Sequence, residues 1–247
     1  MLVTLPPMTE MAASVAGKNF TVLSIVPEGV SPHTYEPSPA DITAFSSAEV
    51  WFSLGRGFLL LEDQIADALP DISAVATGLE IRAIAETDEE IDPHIWLSAQ
   101  NGICMTDTIC QGLSKLYPDQ EEVFSKNAKT YIARLQDIDR LLSAAAESMQ
   151  PKIFLTTHGS FGYLAADYNI SQLVIAGEGR EPAAQKLAEI TDAAKAAGVH
   201  LIITEPLSGE QIAVVLAEEL GVSPVKVNPL SPNYTETLHR IAEVLKQ

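Results

Sequence analysis

The chain has 247 residues, of which 47% are hydrophobic, 19% charged and 6% aromatic, enough apolar material for one large core or two modest ones and too much for a disordered chain. Fifteen Lys and Arg face 33 Asp and Glu, a formal net charge of −18 with the five histidines neutral. That field repels nucleic-acid phosphates and anionic lipid and attracts divalent cations, so nucleic acid is excluded as a natural partner.

The opening Met1-Leu2-Val3-Thr4-Leu5-Pro6-Pro7 has no basic leader and no apolar run near the ~18 residues a membrane span needs. No transmembrane segment is expected. An exported protein of this kind would carry its signal or lipid anchor outside this stretch. Residues 21–26 then read as a strand, 39–45 as a helix start, 50–54 as a second strand, and Gly55-Arg56-Gly57 as a turn into a helix over 59–66. Ala74-Val75-Ala76 opens another strand, which makes this βαβ grammar. Residues 86–93 are acidic and end in Pro93, the composition of a solvated loop.

Cys104 and Cys110 lie in a helical pattern that separates them by about 9 Å along its axis, too far to bridge. A disulfide scaffold and a cysteine zinc site are therefore both excluded, while the redox compartment stays open. Residues 119–147 contain no Gly or Pro, and Phe124, Ala128, Tyr131, Leu135, Ile138, Leu142 and Ala145 recur at three- and four-residue steps. About 29 helical residues would reach roughly 43 Å. Beyond Pro151, strand-like runs at 152–157, 172–175, 200–204 and 225–227 alternate with helical patterns at 182–197 and 209–220, and a last helix covers 235–245. The expected fold class is α/β, with two βα lobes linked by a long backbone α-helix. The expected division is an N-terminal lobe over 1–117, the linking helix over 118–150 and a C-terminal lobe over 151–247.

Three histidines follow strand-like runs or sit in loops: His33, His94 and His158. Ligands collect at the carboxyl ends of strands in α/β proteins, and three neutral imidazoles converging there would suit zinc. Taken singly, a loop histidine bonded to backbone is the commoner case, and these separations form no local metal motif. Gly177-Glu178-Gly179-Arg180-Glu181-Pro182 begins a dinucleotide fingerprint but lacks its third glycine, and Ser160 has no nucleophile elbow around it. His200 opens an apolar strand and His239 lies on the last helix; both read as structural or exposed.

The run Leu23-Ser24-Ile25-Val26-Pro27-Glu28-Gly29-Val30-Ser31-Pro32-His33-Thr34-Tyr35-Glu36-Pro37-Ser38-Pro39-Ala40-Asp41 resembles the first metal-ligand segment of the zinc/manganese solute-binding proteins of ABC transporters. The similarity continues in order. Leu54-Gly55-Arg56-Gly57 through Leu61-Glu62 resembles their glycine turn and helix, and Asp92-Pro93-His94-Ile95-Trp96-Leu97 their second histidine segment. Tyr117-Pro118-Asp119, Asn127 and residues 131–135 resemble the entry to their long helix, and His158-Gly159-Ser160-Phe161-Gly162-Tyr163-Leu164-Ala165 the third segment.

The resemblance covers nearly the whole chain. It implies a metal site in the interlobe cleft, metal ligation by His33, His94 and His158, no enzymatic activity, and delivery of the ion to an ABC transporter permease. It also implies a monomer placed in the periplasm or outside the cell, with a lipid anchor in some precursors. A histidine rather than a carboxylate at the third position tilts the metal toward Zn(II), with Mn(II) or Fe(II) as alternatives.

The chain departs from the family at the fourth position, where Asn228 in Val227-Asn228-Pro229-Leu230 stands in place of the usual Asp. Glu205, after the strand ending in Thr204, is an alternative oxygen donor, as is water. Glu36 and Asp92 are expected to orient a histidine ring through its second nitrogen or to cap a helix. The alternatives to capture and delivery are a zinc-dependent hydrolase or lyase with an open fourth position, and an adhesin or metal chaperone on the same fold.

Overall fold

The computed structural model describes residues 1–85, 91–175, 183–207 and 209–247. The acidic residues 86–90 and the glycine-containing stretch 176–182 lie outside the described residues, as does Ser208. The chain divides into two compact units. One comprises Met1–Asp137 with Leu230–Tyr234, the other Ile138–Pro229 with Thr235–Gln247.

In the first unit short apolar runs form the strands β1 (Leu2–Val3), β2 (Leu23–Ser24), β3 (Val50–Ser53) and β4 (Ser73–Ala76), with helices α1 (Pro7–Ala16), α2 (Pro39–Phe45), α3 (Leu60–Ala68) and α4 (Ala99–Leu116). These four strands pair in parallel in the order β2-β1-β3-β4. Every residue of β3 is buried, as an inner strand covered on both faces requires. The strand expected over 21–26 contracts to two residues, yet Ile25 and Val26 still donate to the carbonyls of Val3 and Thr4 at 2.9 and 3.0 Å.

The opening segment, which shows no basic leader, supplies β1 and α1. Pro7 starts that helix and Met8, Met11, Ala12 and Val15 bury its inner face at helical spacing.

A 3₁₀ turn at Pro118–Gln120 leads into α5 (Glu121–Ser148), whose 28 residues span about 42 Å. All seven stripe residues are buried, from Phe124 to Ala145. Residues of this helix through Asp137 belong to the first unit and those from Ile138 to the second.

The second unit contains β5 (Ile153–Thr156), α6 (Gly162–Tyr168), β6 (Ser171–Val174), α7 (Ala184–Ala197), β7 (Ile202–Thr204), α8 (Glu210–Leu220), β8 (Val225–Lys226) and most of α9 (Tyr234–Val244). Its parallel sheet runs β6-β5-β7-β8, the same topology as the first. Leu155, Ile175, Ile190, Ala194, Ile202 and Leu216 form part of its core.

The chain is thus α/β with two parallel-sheet units and one long helix, the class expected from the sequence. Cys104 and Cys110 are both free thiols on α4. No helix among the described residues is long and apolar enough to cross a membrane.

The shared order has a consequence for function. In each sheet the chain leaves the first strand toward one neighbour and the third strand toward the other. This makes the carboxyl ends of β1 and β3, and of β5 and β7, switch points where open α/β sheets bind ligands.

Candidate metal centre

His33 sits in the loop between β2 and α2, and short-range bonds shape that loop. Its backbone N–H donates to Ser31 Oγ at 3.3 Å, and the Thr34 and Tyr35 N–H groups donate to the Ser31 carbonyl at 3.3 and 3.0 Å. The far end is closed by a capping box. Ser38 N–H donates to Asp41 Oδ2 at 2.8 Å while Asp41 N–H donates to Ser38 Oγ at 3.3 Å. The Ser38 hydroxyl and amide hold the Asp41 carboxyl below its ordinary range. With Pro32, Pro37 and Pro39 fixing φ along the way, the loop carries His33 on a framework with little freedom.

His33 is only partly exposed. Burial, and then the neighbouring His94, push its pKa from 6.5 down to about 4 against the opposing pull of Asp92. The ring is therefore neutral near pH 7, the form that ligates a metal.

His94 follows β4 and immediately precedes a 3₁₀ turn at Ile95–Leu97, after which Ser98 caps α4 by accepting from Asn101 N–H at 3.0 Å. It is 3% exposed and Asp92 4%. One oxygen of Asp92 accepts the backbone N–H of His94 at 2.8 Å and faces its Nδ1 at 2.7 Å. A carboxylate there assigns the proton to Nδ1 and leaves the Nε2 lone pair for a ligand. The Trp96 ring packs 5.3 Å from that of His94 and restricts its rotation.

The His33 and His94 rings lie 5.5 Å apart at 51°, with ligand nitrogens within 4.8 Å of each other. Two nitrogens on one tetrahedral zinc are separated by roughly 3.3 Å.

In the second unit His158 lies two residues beyond β5, with its carbonyl accepting the Thr156 hydroxyl at 3.0 Å. Glu205 directly follows β7 and is 6% exposed. Ser160 Oγ donates to Glu205 Oε1 at 2.5 Å, and Glu205 N–H donates to Thr157 Oγ1 at 3.2 Å. The β5/β7 switch point thus carries His158 and Glu205, two of the three residues named from the sequence for this part of the chain. Asn228, two residues past β8, is exposed, as is Glu36 of the first unit, and His200 and His239 are half-buried.

Two polar groups escaped the sequence reading. Ser160, which has no nucleophile elbow around it, instead uses its hydroxyl to fix a buried carboxylate. Glu62 is 2% exposed at the β1/β3 switch point. The signal for Glu62 was available, since an acid at the buried face of α3 between Leu61 and Ile65 breaks the apolar pattern.

A chain of two parallel α/β units, with histidines after the strands and one long helix, has the architecture of a solute-binding protein. It belongs to the family described as zinc-uptake complex component A, periplasmic, whose model matches residues 1–247. The zinc-binding lipoprotein AdcA of Streptococcus pneumoniae strain R6 is 30% identical over 275 residues, covering 100% of this chain and 55% of that protein. This chain therefore spans about half the length of that relative.

A crystal structure of ZnuA superposes with a TM-score of 0.93 at 28% identity, covering 98% of this chain and 95% of the other. The Zn(II)-bound ZnuA-like domain of S. pneumoniae AdcA matches with a TM-score of 0.84 at 27% identity, covering 100% and 98% of the two chains.

Proposed function

We propose that this chain captures one Zn(II) ion through His33, His94, His158 and an oxygen donor, and hands it to an ABC-type permease outside the cytoplasmic membrane. No covalent bond is made or broken, and the ion is cargo. The observation that carries this reading is the His33 and His94 pair, one ring kept neutral by burial and the other oriented by a buried carboxylate. Such a pair offers a metal one neutral ring and one ring already oriented by a carboxylate.

His158, at the β5/β7 switch point, supplies the third nitrogen. Residues 1–117 and 151–247 act as the two ligand-bearing parts, with 118–150 as the helix joining them in sequence. Family membership and the zinc-bound AdcA domain support the choice of cargo. Neutral imidazoles favour zinc over manganese, which prefers carboxylate and water.

The test is a chelator-competition titration of metal-stripped protein. Zn(II) is expected to bind one to one and far more tightly than Mn(II), while absence of zinc binding overturns the reading.

Two substitutions probe the rest of the ligand shell. Three neutral imidazoles leave the bound ion its full charge, so Asn228→Asp is expected to tighten zinc binding by about tenfold by adding a carboxylate. Unchanged affinity in the same titration assigns the fourth oxygen to Glu205 or to water. Asp92→Asn removes the charge that fixes the Nδ1 proton of His94 and is expected to weaken zinc binding by roughly 10- to 100-fold. An unchanged dissociation constant would show that Asp92 orients nothing of consequence to the metal.

A further inference from the structure

Burying a carboxylate is costly unless donors surround it, so Glu62 invites an account of what its burial achieves. Its Oε1 accepts the Leu54 N–H at 2.7 Å and the Thr4 hydroxyl, and its Oε2 accepts the Gly55 N–H at 2.8 Å. The Thr4 hydroxyl in turn accepts Trp51 Nε1–H at 3.0 Å, which leaves its own proton for Glu62. Thr4 immediately follows β1, and Leu54 and Gly55 immediately follow β3. One side chain from α3 thus ties together the exits of both strands and fills the crevice where a ligand would otherwise sit.

Each tied exit leads to a metal-site histidine. On one side the Thr4 carbonyl accepts the Val26 N–H at 3.0 Å, at the point where the loop carrying His33 departs. On the other, the Leu54 carbonyl accepts the Gly78 N–H at 2.8 Å just beyond β4. Gly78 is packed so closely that a Cβ there would lie 2.5 Å from the Leu54 oxygen and 3.0 Å from both Ile95 Cδ1 and the Phe58 ring. Ile95 is fully buried and adjacent to His94, and its carbonyl is held by Asn101 Nδ2 at 3.0 Å. The path from Glu62 through Leu54, Gly78 and Ile95 therefore reaches His94, as the path through Thr4 and Val26 reaches the His33 loop.

We propose that Glu62 is a positioning residue for the metal pair, holding the His33 loop and the His94 segment in register through a single carboxylate at the β1/β3 switch point. The proposal rests on the reading of His33 and His94 as ligands. All three partners of Glu62 are donors, so Glu62→Gln keeps the shape but turns an amide NH2 toward at least one of them. A second variant, Thr4→Val, removes the hydroxyl from the same hub with little change of volume.

The experiment compares the parent, Glu62→Gln and Thr4→Val well below their melting temperatures. It reads the zinc dissociation constant by chelator competition and, without metal, the imidazole Cε1–Hε1 NMR signals. Both variants are expected to weaken zinc binding by about tenfold and to move the His33 and His94 signals, with those of His200 and His239 unmoved. Lower melting temperatures with unchanged affinity and unmoved His33 and His94 signals would make Glu62 a purely structural residue and overturn the proposal. If Glu62→Gln does not fold, Thr4→Val is read by the same criteria. A parent that binds no zinc sinks the proposed function, while the metal-free spectra still decide whether Glu62 positions the two rings.

Discussion

Replacing His94 by alanine is expected to lower zinc affinity on the order of a thousandfold, about 4 kcal/mol. The magnitude follows from sharing the roughly 10–16 kcal/mol of a four-donor zinc site among its ligands. His94 is the best prepared of the histidines, since its ring is buried, its Nδ1 faces Asp92 and its rotation is limited by Trp96. Alanine removes the donor and deprives the buried Asp92 carboxylate of its ring partner. The backbone N–H of residue 94 remains to bond Asp92, so the fold is expected to persist by circular dichroism. Alanine at His200 or His239 is expected to leave zinc affinity unchanged. A His94→Ala protein that binds zinc as tightly as the parent would remove the pair from the site.

The second large effect is a pair of opposed pH dependences in the metal-free protein. Burial pushes the Glu62 pKa from 4.5 up to about 7 despite its three donors, and pushes that of His33 from 6.5 down to about 4. For Glu62 the folded state binds its proton more tightly than the unfolded chain. Its contribution to stability is therefore fully present below pH 4.5 and lost as pH rises through 7. For His33 the unfolded chain binds the proton more tightly, so its contribution is present above pH 6.5 and lost as pH falls through 4.

Each effect amounts to about 3 kcal/mol at about 1.4 kcal/mol per pH unit, and between pH 4.5 and 6.5 the two slopes oppose each other. Urea unfolding of Glu62→Gln is expected to show stability rising with pH across this window, and His33→Asn to show it falling. The parent is expected to be flatter than either. Identical profiles for all three proteins would contradict the assigned burial of both groups.

What could be read from the sequence depended on the range over which each feature is encoded. The stripe from Phe124 to Ala145 is local and periodic, so the long helix and its buried face were legible residue by residue. The start of α2 was equally plain, because Ser38, Pro39 and Asp41 form its cap within four positions. Strand β1 escaped because two residues carry no periodicity, and α1 because its ten residues begin within a Pro-Pro pair that also fits a loop.

The same distinction holds at the site. Asp92 is two residues from His94, so its contact with the ring was within reach of local reasoning. The bond of Ser160 to Glu205 spans 45 positions, and that of Thr4 to Glu62 spans 58. Such bonds are created by the sheet order that brings strand exits together, and one sequence does not display that order.

X-ray absorption at the zinc edge of the one-to-one complex tests the central claim most directly. The account predicts four light-atom donors at about 2.0–2.1 Å, with the multiple-scattering signature of three imidazoles, and loss of one imidazole in each of His33→Ala, His94→Ala and His158→Ala. A sulfur donor, a shell of oxygens alone, or an imidazole count that survives all three substitutions would contradict it.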